Sequence, residues 1–174
     1  MRVTGTRHSA MFDRIGCIDP PPDVAQTMLF TVDERVRWSA VDKAGIIFYG
    51  AYVRFFELAE MELFRAAGAP YGEVFDRWDI WLPRVHLESD FHYPSRLDDK
   101  LRVGAYFTSF GTSSLRINFD ILHVDAHRLA VTGHEVLVST TRDTLRPTPL
   151  PEDLVELLRP YCMTEEDARR ALGL

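Results

Sequence analysis

The segment VDKAGIIFYGAYVRFFELAE, residues 41–60, sets one carboxylate, Asp42, ahead of a glycine, an apolar run and a helix-forming stretch. An ionised carboxylate in such a place can take a proton from water or attack an electrophilic carbon itself. Either route throws negative charge onto an oxygen, and a helix start is equipped to receive it. Its first N–H groups have no intrahelical partner and carry the positive end of the macrodipole. Near Tyr49 and Gly50 those backbone amides are candidate oxyanion donors, and the Tyr49 phenol is not needed for the role. Gly45 lets the intervening loop turn tightly. The same residue types also suit a plain turn, with Asp42 as a turn or helix-start residue and Gly45 as a bend, so spacing alone leaves both readings open.

The elements that must position these groups follow from periodicity. Over 28–38, Phe30, Val32, Val36 and Trp38 fall on one side of a two-residue period and Thr31, Asp33, Arg35 and Arg37 on the other, a half-buried strand with Glu34 as the exception. After Gly50 the period becomes helical. Tyr52, Phe55, Phe56, Ala59 and Leu63 share a flank until Gly68 and Pro70 stop the helix, which at about 18 residues spans about 27 Å. A short connector over 71–79 precedes a strand over 85–93 with one wet face. Three further alternating runs, 101–108, 115–123 and 129–140, are joined by turns short enough for antiparallel hairpins. RPTPLP then leads to a short helix over 152–158, and Thr164 followed by Asp167 reads as a start signal for a last turn or two. One helix among five strands predicts an α+β domain whose antiparallel sheet curls around the helix. Open sheet edges predict pairing between subunits.

Whole-chain totals narrow the function classes. A chain of 174 residues fits one domain, and 46% hydrophobic with 26% charged residues is a globular composition. A formal charge of -6 argues against general nucleic-acid affinity or a polybasic membrane surface. Eighteen of the twenty basic residues are Arg, which a coding bias explains as well as a phosphorylated ligand does. Cys17 and Cys162 lie near opposite ends with no ligand spacing and read as reduced thiols. Residues 1–26 read as an extended arm holding a Pro20-Pro21-Pro22 run; they lack the apolar centre of a secretory signal. No run is long enough to span a bilayer, and the expected location is the cytoplasm.

The order strand, D-x-x-G-I-[IV]-[aromatic]-[aromatic]-x-x-Y, long helix with F-F-E-L-A, and four strands leaving through R-P-T-P-L-P resembles the 4-hydroxybenzoyl-CoA thioesterase-like branch of the hotdog-fold superfamily. The resemblance covers residues 27–161, leaving 162–174 as a short C-terminal helix, and its specific part is Asp42-Lys43-Ala44-Gly45-Ile46-Ile47-Phe48-Tyr49. It implies a hotdog fold, a five-stranded curled antiparallel sheet around one long helix, and hydrolysis of an acyl-CoA to free acid and CoA. It implies Asp42 as nucleophile or general base and the Tyr49 amide as oxyanion donor, with Gly45 turning beneath the substrate. In hydroxybenzoyl-CoA enzymes an acid at the position of Glu57 meets the ring hydroxyl; read by itself, Glu57 is equally a structural acid paired with Arg54. Phe48, Tyr49, Trp78 and Trp81 are expected to line an apolar slot, leaning toward an aromatic or bulky acyl group.

Two departures stand out. The hairpin at Phe110-Gly111-Thr112 lacks the basic cluster that grips nucleotide phosphates in hydroxybenzoyl enzymes, leaving Arg142 and Arg146 as candidates by charge alone. Tyr49 and Ala51 stand where many short-chain relatives have His and Asn. The resemblance implies a homodimer or homotetramer and no cofactor, CoA being part of the substrate. No metal is expected, since the six His show no HxxxH or HxH pairing on one strand face. The competing readings are a non-catalytic acyl-thioester binding or sensing module and a thioesterase for acyl carrier protein. A hydratase is disfavoured because no paired Asp and His precede the helix.

Overall fold

The computed structural model describes residues 27–174. The arm expected over 1–26 lies outside the described residues. Five strands, β1 (Phe30–Arg35), β3 (Arg84–Phe91), β4 (Lys100–Phe110), β5 (Ser114–His123) and β6 (Arg128–Val138), make one sheet in the order β1-β4-β5-β6-β3. Every pairing is antiparallel. Two short strands, β2 (Ile80–Trp81) and β7 (Thr140–Thr141), form a separate ribbon. The sheet is the expected one, with this ribbon added at its rim.

The 15-residue helix α1 (Tyr52–Ala66) lies on the concave face. A 3-10 turn, Tyr49–Ala51, leads into it, so the first turn is tighter than the expected helix start. Phe56, Ala59 and Leu63 have no solvent exposure, nor do Val103, Phe107, Ile117, Phe119, Ile121 and Leu137 of the sheet. Burying each large side chain among them contributes about 1.5–3 kcal/mol. The Phe56 ring stacks on Phe119 with centroids 4.6 Å apart. It also crosses β6 at Gly133, where a Cβ would stand 2.7 Å from the ring and 2.9 Å from the Glu88 carbonyl. Glycine there permits the close approach of helix to sheet.

Three expectations need correction. Trp38 does not continue the buried face of β1: the strand ends at Arg35, Trp38–Ala40 forms a 3-10 turn, and Trp38 is 78% exposed. The connector over 71–79 is helical, α2 (Tyr71–Trp78), ended by Asp79 in the left-handed region at φ 52°. Strand β3 does not have one dry face, since Val85, Leu87 and Phe91 remain 53%, 44% and 54% exposed. It is an edge strand, and α1 lies closest to β1 and β4 on the other side of the sheet.

Beyond the sheet, α3 (Glu152–Leu158) and α4 (Glu165–Ala171) follow. Thr164 accepts from the Asp167 N–H at 3.1 Å and its hydroxyl donates to the Asp167 carboxylate at 2.7 Å, the cap read from the sequence. Helix α4 packs on the convex face against β4 and β5. No helix among the described residues is long and apolar enough to cross a membrane.

Candidate active site

The loop between β1 and α1 is built around Asp42. Val41 and Ile47 form an antiparallel bridge, the Asp42 N–H donates to the Ile46 carbonyl at 2.9 Å, and the Gly45 N–H donates to the Asp42 carbonyl at 3.0 Å. Gly45 sits at φ +74°, a conformation that side chains rarely adopt, so the glycine is required by the turn. The loop ends are fixed to the body: the Ile47 N–H donates to Ser95 and the Phe48 N–H to Ala40, each at 2.9 Å.

The same loop also meets the carboxylate. Asp42 Oδ1 accepts from the Ala44 N–H at 2.7 Å, while the side chain as a whole is exposed. It lines an open depression of about 570 Å³ with Trp38, Val41, Lys43, Gly45 and Leu97. At the mouth of α1, Phe48 and Tyr49 are 46% and 70% exposed, their rings 4.4 Å apart. The Ala51 N–H donates back to Phe48, whereas the amides of Tyr49 and Gly50 meet no acceptor among the described residues. The carboxylate therefore stands just inside the loop that the Val41–Ile47 bridge closes over five residues, and these two amides follow two and three residues past Ile47. A carboxylate can act as base or nucleophile, and unpaired main-chain N–H groups can donate to an oxyanion.

The other candidates separate into different places. Glu57 is exposed and shares a groove with Ser39 and Ala40. That groove, of about 320 Å³, also includes Arg35, Arg37, Arg54, Phe55 and Met61. Within one protomer the groove and the Asp42 depression share no lining residue. Trp78 and Trp81 pack away from both. Trp78 Nε1 donates to Asp153 at 3.4 Å, and Trp81 Nε1 donates to the Arg142 carbonyl at 3.3 Å. Arg142 stacks over the Trp81 ring at 4.5 Å and pairs with Asp76 at 2.9 Å. Arg146 is exposed, its N–H donating to Thr141 at 3.3 Å.

Sequence reasoning missed three features. Trp38 is the aromatic beside Asp42, hidden because a 3-10 turn breaks the two-residue period. Arg35, Arg37 and Arg54 converge on one groove although the chain separates them, and only the fold brings them together. Glu60, on the inward side of α1, is fully buried, and Arg84 and the Tyr71 hydroxyl both donate to it. Its place beside Ala59 on the inward stripe was the available signal. Arg84 also pairs with the buried Glu135 at 2.8 Å. Burial drives the Glu60 carboxyl above its usual range, and burial with repulsion from Glu60 does the same to Glu135.

Residues 36–158 match the thioesterase-like superfamily. The 1,4-dihydroxy-2-naphthoyl-CoA hydrolase of Synechococcus elongatus is 26% identical over 71% of this chain and 90% of its own length. The acyl-CoA thioester hydrolase YbgC of Escherichia coli is 28% identical over 74% of this chain and 95% of its own. A 4-hydroxybenzoyl-CoA thioesterase solved with 4-hydroxybenzoyl-CoA shares the fold at a TM-score of 0.69 and 22% identity, over 75% of this chain and 98% of that one. The chain therefore belongs to the thioesterase-like superfamily and has the hotdog fold.

Proposed function

We propose that this member hydrolyses an acyl-CoA, leaning to an aromatic acyl group of the benzoyl or hydroxybenzoyl kind, with Asp42 as nucleophile or general base. The protein is a thioester hydrolase by family. The observation that carries the reading is the loop frame around Asp42, in the segment that runs on to the unpaired amides of Tyr49 and Gly50 at the start of α1.

As a base, the free carboxylate oxygen takes a proton from water while the water oxygen bonds to the thioester carbon. The resulting oxyanion lies against the two amides, and its collapse breaks the carbon–sulfur bond and returns the proton to CoA. As a nucleophile, Asp42 itself bonds to that carbon and expels the thiolate, and water then cleaves the mixed anhydride. Losing one oxyanion donor in such a site costs about 10²–10³ in rate. Phe48, Tyr49 and Trp38 supply the apolar surface for an aromatic acyl group. Arg35, Arg37 and Arg54 in the neighbouring groove suit CoA phosphates, with Arg146 the freer of the two arginines expected for that role. The exposure of Asp42 and its aromatic neighbours in one protomer supports a site that a second subunit closes, in a homodimer or a dimer of dimers.

Purified protein is expected to release free thiol from benzoyl-CoA or hydroxybenzoyl-CoA, and Asp42→Asn to lower kcat at least about 100-fold while ligand binding persists. Near-wild-type turnover in that variant would remove the mechanism. Tight binding of acyl-CoA without thiol release by the wild type would make the protein an acyl-thioester binder.

A further inference from the structure

The convex face of the sheet carries a second group of chemically capable side chains. A two-residue period along β3 sends His86, Glu88 and Asp90 to that face. The strand register sets Glu88 opposite His134 of β6. One ligand atom from each of His86, Glu88 and His134 lies within 4.8 Å of the other two. His86 Nε2 is 3.5 Å from Glu88 Oε2, and the two imidazole rings stand 5.0 Å apart, inclined by 30°. Beside them opens a polar cleft of about 210 Å³, where Glu88 and His134 are joined by Asp90, Asp120 and Glu165. Arg116 and Arg169 line it too, and Arg169 pairs with Asp120 and Glu165 at 3.7 and 3.3 Å, which leaves Glu88 and Asp90 as the carboxyls of the cleft nearest the two imidazoles along β3.

We propose that His86, Glu88 and His134 bind a divalent transition-metal ion of the zinc class and thereby clamp the edge strand β3 to β6. The site stands apart from thioester chemistry and makes no use of Asp42. Two imidazoles and a carboxylate are a donor set that zinc accepts, with water in the fourth position. Zinc–ligand bonds of about 2.0–2.2 Å put tetrahedral donors about 3.3–3.6 Å apart. From a separation of up to 4.8 Å the widest pair closes by at most about 1.5 Å, a movement that side-chain rotation supplies. His86 and Glu88 are exposed, which gives the ion a path in. Side chains stand perpendicular to a sheet, so a second chain pairing along the β3 edge leaves the trio open. Linear spacing does not reveal the group because its third member arrives from another strand.

The test titrates chelator-stripped full-length protein with Zn²⁺ by calorimetry, follows Tm, and records the visible spectrum with Co²⁺. One ion per chain, a rise in Tm and the intense Co²⁺ bands of a four-coordinate site are expected. His86→Ala and His134→Ala should each weaken Zn²⁺ at least about tenfold and abolish the Tm rise, with Glu88→Gln weakening it less. His127→Ala, whose ring lies against the Gly173 carbonyl at 2.9 Å, should leave both readouts unchanged. Absence of saturable binding in the wild type, or full-affinity binding that survives His134→Ala, overturns the proposal. Far-UV circular dichroism establishes that each variant is folded.

Discussion

Tyr49 separates two kinds of contribution that one residue can make. In the proposed mechanism its N–H holds the oxyanion, while the residue is 70% exposed with its ring tilted against Phe48. Tyr49→Phe should keep kcat within about threefold of wild type and shift only KM for aromatic acyl groups, as steady-state kinetics on benzoyl-CoA would show. A loss as large as that of Asp42→Asn would assign the hydroxyl a chemical role. Asp42 was legible because its partners are local: the acid, the glycine and the helix start lie within one short segment, and the loop hydrogen bonds join those residues to one another. Glu57 was legible as an acid but not as a neighbour. Helical spacing places it away from the inward stripe, but its neighbours Arg35, Arg37 and Ser39 come from another part of the chain, which spacing along α1 does not reveal.

Among the elements, the seating of α1 on the sheet depends on a missing side chain. Gly133→Ala must push against both the Phe56 ring and the Glu88 carbonyl, and is expected to destabilise the fold by about 1–3 kcal/mol in urea titrations. The buried pair Glu60 and Glu135 gives a second expectation. Both carboxyls are raised from an ordinary value of 4.5, so the stability they confer is fully present below that value and is lost as pH rises through their folded pKa values. Unfolding free energy measured at intervals above about pH 4.5 should therefore fall with rising pH, and Glu60→Gln should flatten the slope. Asp33 works in the opposite sense. The Arg102 hydrogen bonds hold it down at about 2, so its smaller, solvent-screened contribution fades as pH falls toward that value. Strands were readable because apolar residues recur at alternate positions along their sequence, although β4 and β5 are in fact buried on both faces over their middle, where α4 also packs on them. Helix α2 was not, since it is only eight residues long and begins between Pro70 and Gly72, which read as breakers. Glu60 was hidden by the usual equation of charge with solvent, which fails wherever Arg84 and Tyr71 can reach inward.

At the scale of the whole molecule, the β3 edge and the Asp42 depression are both open in a single chain, and the proposed site is one that a second chain closes. Light scattering is expected to give a dimer or larger at assay concentrations, and Leu87→Lys on β3 should shift it toward monomer and lower turnover together. A fully active monomer at all dilutions would separate the site from any partner. The overall topology was readable because every hairpin in the run β4-β5-β6 joins sequence neighbours, whereas the placement of β3 beyond β6 is a long-range pairing that periodicity does not announce. That placement has a further consequence during synthesis. Phe91 pairs with Val131, so the strand leaves the ribosome well before the neighbour that will hold it. At about 5–20 residues per second the wait lasts on the order of seconds. Through that interval Val85, Leu87 and Phe91 are sticky to other nascent copies, and slower expression at lower temperature should favour recovery of folded enzyme over inclusion bodies.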